Sequence, residues 1–255
     1  MNKFNHILGK YIPIKGAKIY YEEIGTADKP VLLLLHGGFG SIEDFNPILP
    51  KIQTKSRIIG IDSRGQGKST LGNKVLTYEI MQSDIEELLK HLNVDELDII
   101  GFSDGGIVAY RLACLSTLNI KKLITIGSRW HGSNVSETRG VLSAVTAASW
   151  RKKFPEMVRA YEKMNSEADF EKLASAVVHM WLNENSYPDE HVKDCKADTL
   201  IIHGDKDHLT TRKMVTEVAG MIENSSLSNI AFAGHAVQID QPEILILTIN
   251  QFLNK

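Results

Sequence analysis

The chain has 255 residues, 43% of them hydrophobic and 24% charged, with a formal charge of −2. This is average globular usage, long enough to bury a large core without staples, with no basic excess to favour nucleic acid. The longest aliphatic run, Val31–Leu35, is too short to span a bilayer, and residues 1–10 carry Lys3, His6 and Lys10 without the apolar stretch of a signal peptide.

In chain order, Lys10–Ile14 and Ala17–Ile24 read as a strand hairpin turning at Lys15–Gly16. Val31–Leu35, closed by Gly37–Gly38, reads as a strand buried on both faces. Arg57–Ile61, Leu97–Phe102, Lys122–Ile126 and Thr199–His203 share its character, and Ser226–Phe232 is a weaker strand. Helical patterns fall between them at Ser41–Gln53, Thr77–Leu92, Ser103–Thr117, Thr211–Ile222 and Gln241–Leu253. In the second of these, Thr77 is a natural N-cap, and Ile80, Ile85, Leu88, Leu89 and Leu92 form one apolar stripe. The β-α alternation predicts a mostly parallel sheet with helices on both faces. From Arg129 to Asp198 no strand is evident; Ala147–Met164 and Phe170–Asn183 look helical, so the segment reads as a helical insertion between two strands of one sheet. Two cysteines, Cys114 and Cys195, exclude a disulfide framework and fit a reducing cytoplasm, with Cys114 a small core residue of a helix.

Four motifs carry chemistry. Gly101-Phe102-Ser103-Asp104-Gly105 is a G-x-S-x-G between a strand and a helix, the setting in which a sharp turn lifts a serine hydroxyl out of a sheet. The helix N-terminus adds positive potential there. After Val31–Leu35, the turn His36-Gly37-Gly38-Phe39-Gly40 can aim a backbone N–H at a reacting carbonyl oxygen. Gly38, with Phe39 as the alternative donor, and Asp104 would together form an oxyanion hole. Gly204-Asp205-Lys206-Asp207 and Gly234-His235 follow the last two strands and supply an acid and a base. A neutral imidazole needs one carboxylate to hold its tautomer. Asp207 is the acid chosen here and Asp205 a turn cap, although the sequence does not strictly separate them. A metal site at His203, Asp205, Asp207 and His208 ranks below this, because strand alternation scatters those side chains. Gly65-Gln66-Gly67-Lys68-Ser69 resembles the end of a P-loop, but Asp62 stands where the leading glycine belongs, so Asp62–Ser69 is a structural turn in which Arg64 buttresses the Gly-rich turn. A dinucleotide fingerprint is incomplete as well, since Glu43 follows Gly38 and Gly40 where a third glycine is needed.

Taken in order, His36-Gly37-Gly38, Asp62 to Ser69, Gly101 to Gly106, Gly204 to Asp207 and Gly234-His235 resemble the α/β-hydrolase superfamily over nearly the whole chain. The resemblance implies an α/β fold with an eight-stranded, mostly parallel sheet and a helical cap after the sixth strand. The core would comprise residues 1–128 and 199–255, and the cap 129–198. It also implies a Ser103–His235–Asp207 triad; relatives that open epoxides or haloalkanes use an aspartate nucleophile, and Ser103 argues against both chemistries. Ser103-Asp104-Gly105-Gly106-Ile107 with Ser149-Trp150 and Tyr161 is similar to the biphenyl hydrolase-like group, in which the acid after the nucleophile meets a substrate ammonium. Asp104 would have that role, or would merely complement the helix N-terminus.

The expected function is hydrolysis of a small carboxylic ester, with α-amino-acid esters among the candidates, through an acyl-enzyme on Ser103, in a carboxylesterase-like cytoplasmic enzyme. Phe39, Asp104, Trp130, Trp150, Met157 and Trp181 are the expected substrate contacts. No cofactor or metal is expected, nor a nucleic-acid or membrane partner, and monomer and dimer are both open. Residues 129–190 hold eight basic and nine acidic residues, so charge there selects no substrate sign. The alternatives are C–C hydrolysis of a ring-fission diketone, a proline iminopeptidase-like amidase, or a non-catalytic small-molecule receptor on the same fold.

Overall fold

The computed structural model describes residues 3–255. Eight strands form one sheet: β1 Lys10–Ile14, β2 Ala17–Ile24, β3 Val31–Leu35, β4 Arg57–Ile61, β5 Glu96–Phe102, β6 Asn119–Ile126, β7 Asp198–Gly204 and β8 Ser225–Ile230. Their spatial order is β1-β2-β4-β3-β5-β6-β7-β8. β2 runs antiparallel to both of its neighbours, β1 and β4, while β4, β3 and β5 to β8 are mutually parallel. The eight-stranded, mostly parallel α/β sheet expected from the sequence is therefore present.

The all-aliphatic β3 is the centre of the sheet. Its residues are all buried, and they divide between two cores. Val31, Leu33 and Leu35 face one side; Leu32 and Leu34 face the other. A strand covered on both faces needs such an uninterrupted run, whereas β8 at the edge is Ser-rich, and of its six residues only Ile230 is buried.

The main helices are α1 Tyr78–His91, α2 Asp104–Leu115, α3 Asn134–Ser143, α4 Ala147–Lys153, α5 Pro155–Met164, α6 Phe170–Leu182, α7 Arg212–Met221, α8 Val237–Asp240 and α9 Pro242–Leu253. Thr77 caps α1 by accepting the Ile80 N–H, as its place before the apolar stripe predicts. Between β6 and β7 every regular element is helical. Among the described residues, no helix is long and apolar enough to cross a membrane.

Several expected boundaries are corrected. Ser41–Gln53 is not an α-helix but two 3₁₀ turns, Ile42–Phe45 and Leu49–Lys51. Pro47 and Pro50 lack the N–H that an α-helical ladder needs, and each disfavours the helical region for the residue before it. Ala147–Met164 is two helices, because Phe154 takes φ −130° and ψ 60° ahead of Pro155. Helix α3 was not anticipated: only Val135, Thr138 and Leu142, with Asn134, turn inward from a short polar stretch. The last strand stops at Ile230; Phe232 has φ 65° and is 77% exposed, in a turn rather than a strand.

Candidate active site

Parallel pairing puts the strands' C-terminal ends at one edge of the sheet, where loops leave and ligands of open α/β sheets bind. The register aligns Leu35 with Gly101, Gly101 with Thr125 and Phe102 with Ile126, and Ile126 with Ile202. The segments carrying Gly38, Ser103, Asp207 and His235 therefore all emerge at this edge.

Ser103 lies between β5 and α2 with φ 51° and ψ −117°, a conformation costly for a residue with a Cβ. Its neighbours permit the turn. A Cβ on Gly101 would stand 2.5 Å from the Gly105 carbonyl oxygen, and one on Gly105 would stand 2.1 Å from that of Leu35. Backbone here approaches backbone more closely than any side chain allows. The Ser103 N–H donates to the Ile126 carbonyl, tying the turn to the end of β6.

Three side chains remote in sequence meet in a row. His235 Nε2 is 3.0 Å from Ser103 Oγ, and His235 Nδ1 is 2.8 Å from Asp207 Oδ2. The Asp207 carboxylate is sealed from solvent, while the imidazole keeps 17% exposure. Burial by itself would raise the Asp207 carboxyl, but the hydrogen bond and charge of His235, with donors from Thr210 and Leu209, bring it down to about 2. Asp207 Oδ1 also accepts the Leu209 N–H at 2.7 Å, and Oδ2 the Thr210 hydroxyl at 2.5 Å, so the carboxylate orientation is held independently of the histidine. Asp205, expected as a turn cap, instead accepts from Arg212 and from Asn229 Nδ2 at the edge of the sheet. The choice between the two aspartates is thus made by which carboxylate faces the imidazole.

The backbone N–H groups of Gly38, Phe39 and Asp104 donate to no protein group among the described residues. The turn that holds the first two is fixed by His36, whose Nε2 accepts the Ser63 N–H at 2.9 Å and whose Nδ1 lies 2.7 Å from the Gly37 carbonyl. The sequence reading gave the buttressing role to Arg64. That side chain is buried elsewhere, against Asp84 of α1 and the Ile14 and Leu71 carbonyls. Asp62 knits its own loop by accepting the Ile42 and Lys68 N–H groups.

Asp104 is buried, and its carboxylate is gripped by Tyr78 Oη at 2.8 Å and by Trp181 Nε1 at 3.0 and 2.8 Å to its two oxygens. Burial pushes this carboxyl up, and the two side-chain donors oppose the rise. A Cβ on Gly38 would meet both Asp104 Oδ2 and the Trp181 ring at 2.7 Å, so the Gly-rich turn, the residue after Ser103 and helix α6 are packed face to face.

Around them, Phe39 packs on Trp150, Phe170 and Trp181, with ring centroids 4.6, 5.5 and 5.4 Å away. Phe39 and Met157 also line a cleft of about 220 Å³ with Glu43, Asp44 and Tyr161. Trp150 Nε1 points at the Met157 sulfur, 3.4 Å away. Trp130, expected to touch substrate, turns toward α7 and donates its indole N–H to the Met214 carbonyl. The residue that the sequence reading missed here is Tyr78, and its only signal is three-dimensional, because its partner Asp104 lies 26 positions away; His36 heads the Gly-rich motif in the sequence, but its role in fixing the turn shows only in space.

Residues 30–139 match the family model described as α/β hydrolase fold. The chain is 23% identical over 277 residues to a 2-hydroxy-6-oxo-2,4-heptadienoate hydrolase of Pseudomonas putida, covering 99% of each chain. It is 23% identical over 239 residues to the esterase YbfF of Escherichia coli, covering 88% of this chain and 92% of that one. Among solved structures, a thermophilic esterase from Thermogutta terrifontis superposes with a TM-score of 0.74 at 22% identity, over 96% of this chain and 98% of that chain.

Proposed function

We propose that this chain, an α/β hydrolase by its fold, is a serine hydrolase that cleaves small carboxylic esters through an acyl-enzyme on Ser103. The observation that carries the reading is the continuous hydrogen-bond row from Ser103 Oγ through His235 to Asp207. In this mechanism His235 Nε2 takes the Ser103 proton as Oγ attacks the carbonyl carbon. Asp207 holds the imidazole in the tautomer with Nδ1 protonated and stabilises the imidazolium. The N–H of Asp104, with that of Gly38 or Phe39, receives the oxyanion, each such donor being worth about 10²–10³ in rate. His235 then protonates the leaving alcohol, and in the second half-reaction it activates the water that releases the acid. Phe39, Trp150, Met157 and Trp181 form the apolar wall that excludes bulk water from the acyl group.

The ammonium-reading role for Asp104 is not carried forward. Its carboxylate already accepts from Tyr78 and Trp181 and is sealed from solvent. Amino-acid esters should therefore have no advantage over neutral esters of equal size.

A second reading, C–C hydrolysis of a ring-fission diketone, draws on the likeness to the heptadienoate hydrolase. A substrate panel separates the two. Short p-nitrophenyl esters should turn over and a dienoate diketone should not, and Ser103→Ala should lower ester turnover by at least about 10³-fold while the protein stays folded. Preferential diketone cleavage would favour the second reading. Ester turnover retained in Ser103→Ala would remove both.

A further inference from the structure

We propose that Arg129 is an anion anchor within this site and that the ester substrates carry a carboxylate. The inference rests on the ester-hydrolase reading and narrows its substrate class.

The segment leaving β6 passes directly beside the reacting groups. Ile126 accepts the Ser103 N–H. A Cβ on Gly127 would lie 3.2 Å from both His235 Nδ1 and Asp207 Oδ2, and the Ser128 hydroxyl sits over Gly106 in the first turn of α2. Arg129 is the next residue, and it is 5% exposed. Among the described residues, its guanidinium makes one hydrogen bond, from Nη1 to the Thr138 hydroxyl of α3 at 3.0 Å, and no carboxylate oxygen lies within 4.0 Å of it. It stacks over Tyr187, 6.0 Å from the ring centroid. Tyr187 packs edge-on against Tyr78 at 5.2 Å, and Tyr78 donates to Asp104.

A buried guanidinium without an anion is costly, because its charge is removed from water and five N–H groups seek acceptors. Asp104 is near enough for the arginine's charge to act on it, but its oxygens are occupied by Tyr78 and Trp181. The contrast with Arg64 is direct. Arg64 is more deeply buried still, and it is closed by Asp84 and two backbone carbonyls. On Arg129, Nε and Nη2 have no protein acceptor, yet neither is among the sealed, unpartnered polar atoms, which belong to Gln66 and Gln238. Those two nitrogens therefore keep some contact with solvent and are closed by no protein group. Nε and Nη2 lie on one edge of the guanidinium plane, the edge that grips a carboxylate with two parallel hydrogen bonds. An ester with a carboxylate on the part held beside Asp104 would supply the missing partner. The charges of residues 129–190 nearly balance, so it is the local placement of this one arginine, not the charge of the segment, that would favour an anion.

The test is a titration that needs no turnover. Full-length Ser103→Ala protein is titrated with monomethyl succinate and with dimethyl succinate, and binding is followed by tryptophan fluorescence or calorimetry. We expect the anionic monoester to bind at least about tenfold more tightly, as one charge-assisted contact predicts. Adding Arg129→Met should abolish that preference. Adding Arg129→Lys, which keeps the charge but not the fork, should leave a reduced preference, and it decides the matter if the methionine variant does not fold. Equal binding of the two esters by Ser103→Ala would overturn the proposal and show that the guanidinium holds water only. A preference undiminished in either arginine variant would place the anion elsewhere and overturn it too. Failure of the hydrolase reading is detected separately, as absence of a covalent adduct on wild-type Ser103.

Discussion

Asp104 joins two jobs at one residue. Its N–H faces the position proposed for the oxyanion, and its side chain is the acceptor for Tyr78 and for Trp181 of α6. Because the carboxylate is buried, removing a donor leaves an acceptor that water cannot satisfy, which typically costs about 1–3 kcal/mol. Trp181→Phe should thus destabilise the protein by roughly that amount in urea unfolding. It should also lower kcat for esters, since Gly38 and Asp104 lose the surface they pack against. Paired with Asp104→Asn in a double-mutant cycle, the two changes should be coupled by about 1 kcal/mol or more. Additive effects would mean that the indole and the carboxylate merely adjoin. This contact was not readable in the sequence. The sequence singles out both residues, Trp181 as a substrate contact and the Asp104 side chain as either an ammonium reader or a complement to the helix N-terminus, but nothing in a linear chain says that residues 77 positions apart satisfy one another.

Among the elements, the segment before β1 is held by the buried Phe4, by backbone bonds to Asn46 and Glu22, and by His6. His6 is buried between two carboxylates, Nδ1 at 2.8 Å from Glu43 and Nε2 at 2.8 Å from Asp62. It also stacks on Tyr20, with ring centroids 5.5 Å apart. Burial alone would lower its pKa, yet the hydrogen bonds and charges of Asp62 and then Glu43 raise it to about 9. A histidine raised in the folded state stabilises fully below its unfolded value of about 6.5 and loses that contribution as pH climbs through 9. The shift corresponds to at most about 3 kcal/mol, with the half-exposed Glu43 screened by solvent. Wild type should therefore melt several degrees above His6→Gln at pH 6, and the gap should close by pH 10. A gap that stays constant over this range would show that His6 is not charged in the fold. The elements themselves were mostly legible. Buried parallel strands announce themselves as aliphatic runs, and Thr77 marks the start of α1. Where the reading failed, proline was the cause twice: Pro47 and Pro50 break one expected helix into 3₁₀ turns, and Pro155 divides another.

At the scale of the molecule, the sheet explains why five short motifs could be read together. Each follows a strand, and parallel strands deliver their following loops to one edge, so order along the chain becomes proximity in space. That rule makes Ser103, Asp207 and His235 legible as a group. It says nothing of what comes from the helices between β6 and β7, where Trp181 and Thr138 meet the core through contacts without a repeating pattern. In the proposed mechanism Ser103 is a nucleophile activated by His235. The most direct measurement of this claim is reaction of the folded protein with a fluorophosphonate, followed by peptide mass spectrometry. One phosphonyl adduct should form on Ser103, and it should be absent after heat denaturation and in His235→Ala. A folded protein that remains unlabelled, or one labelled only at another residue, would contradict the claim.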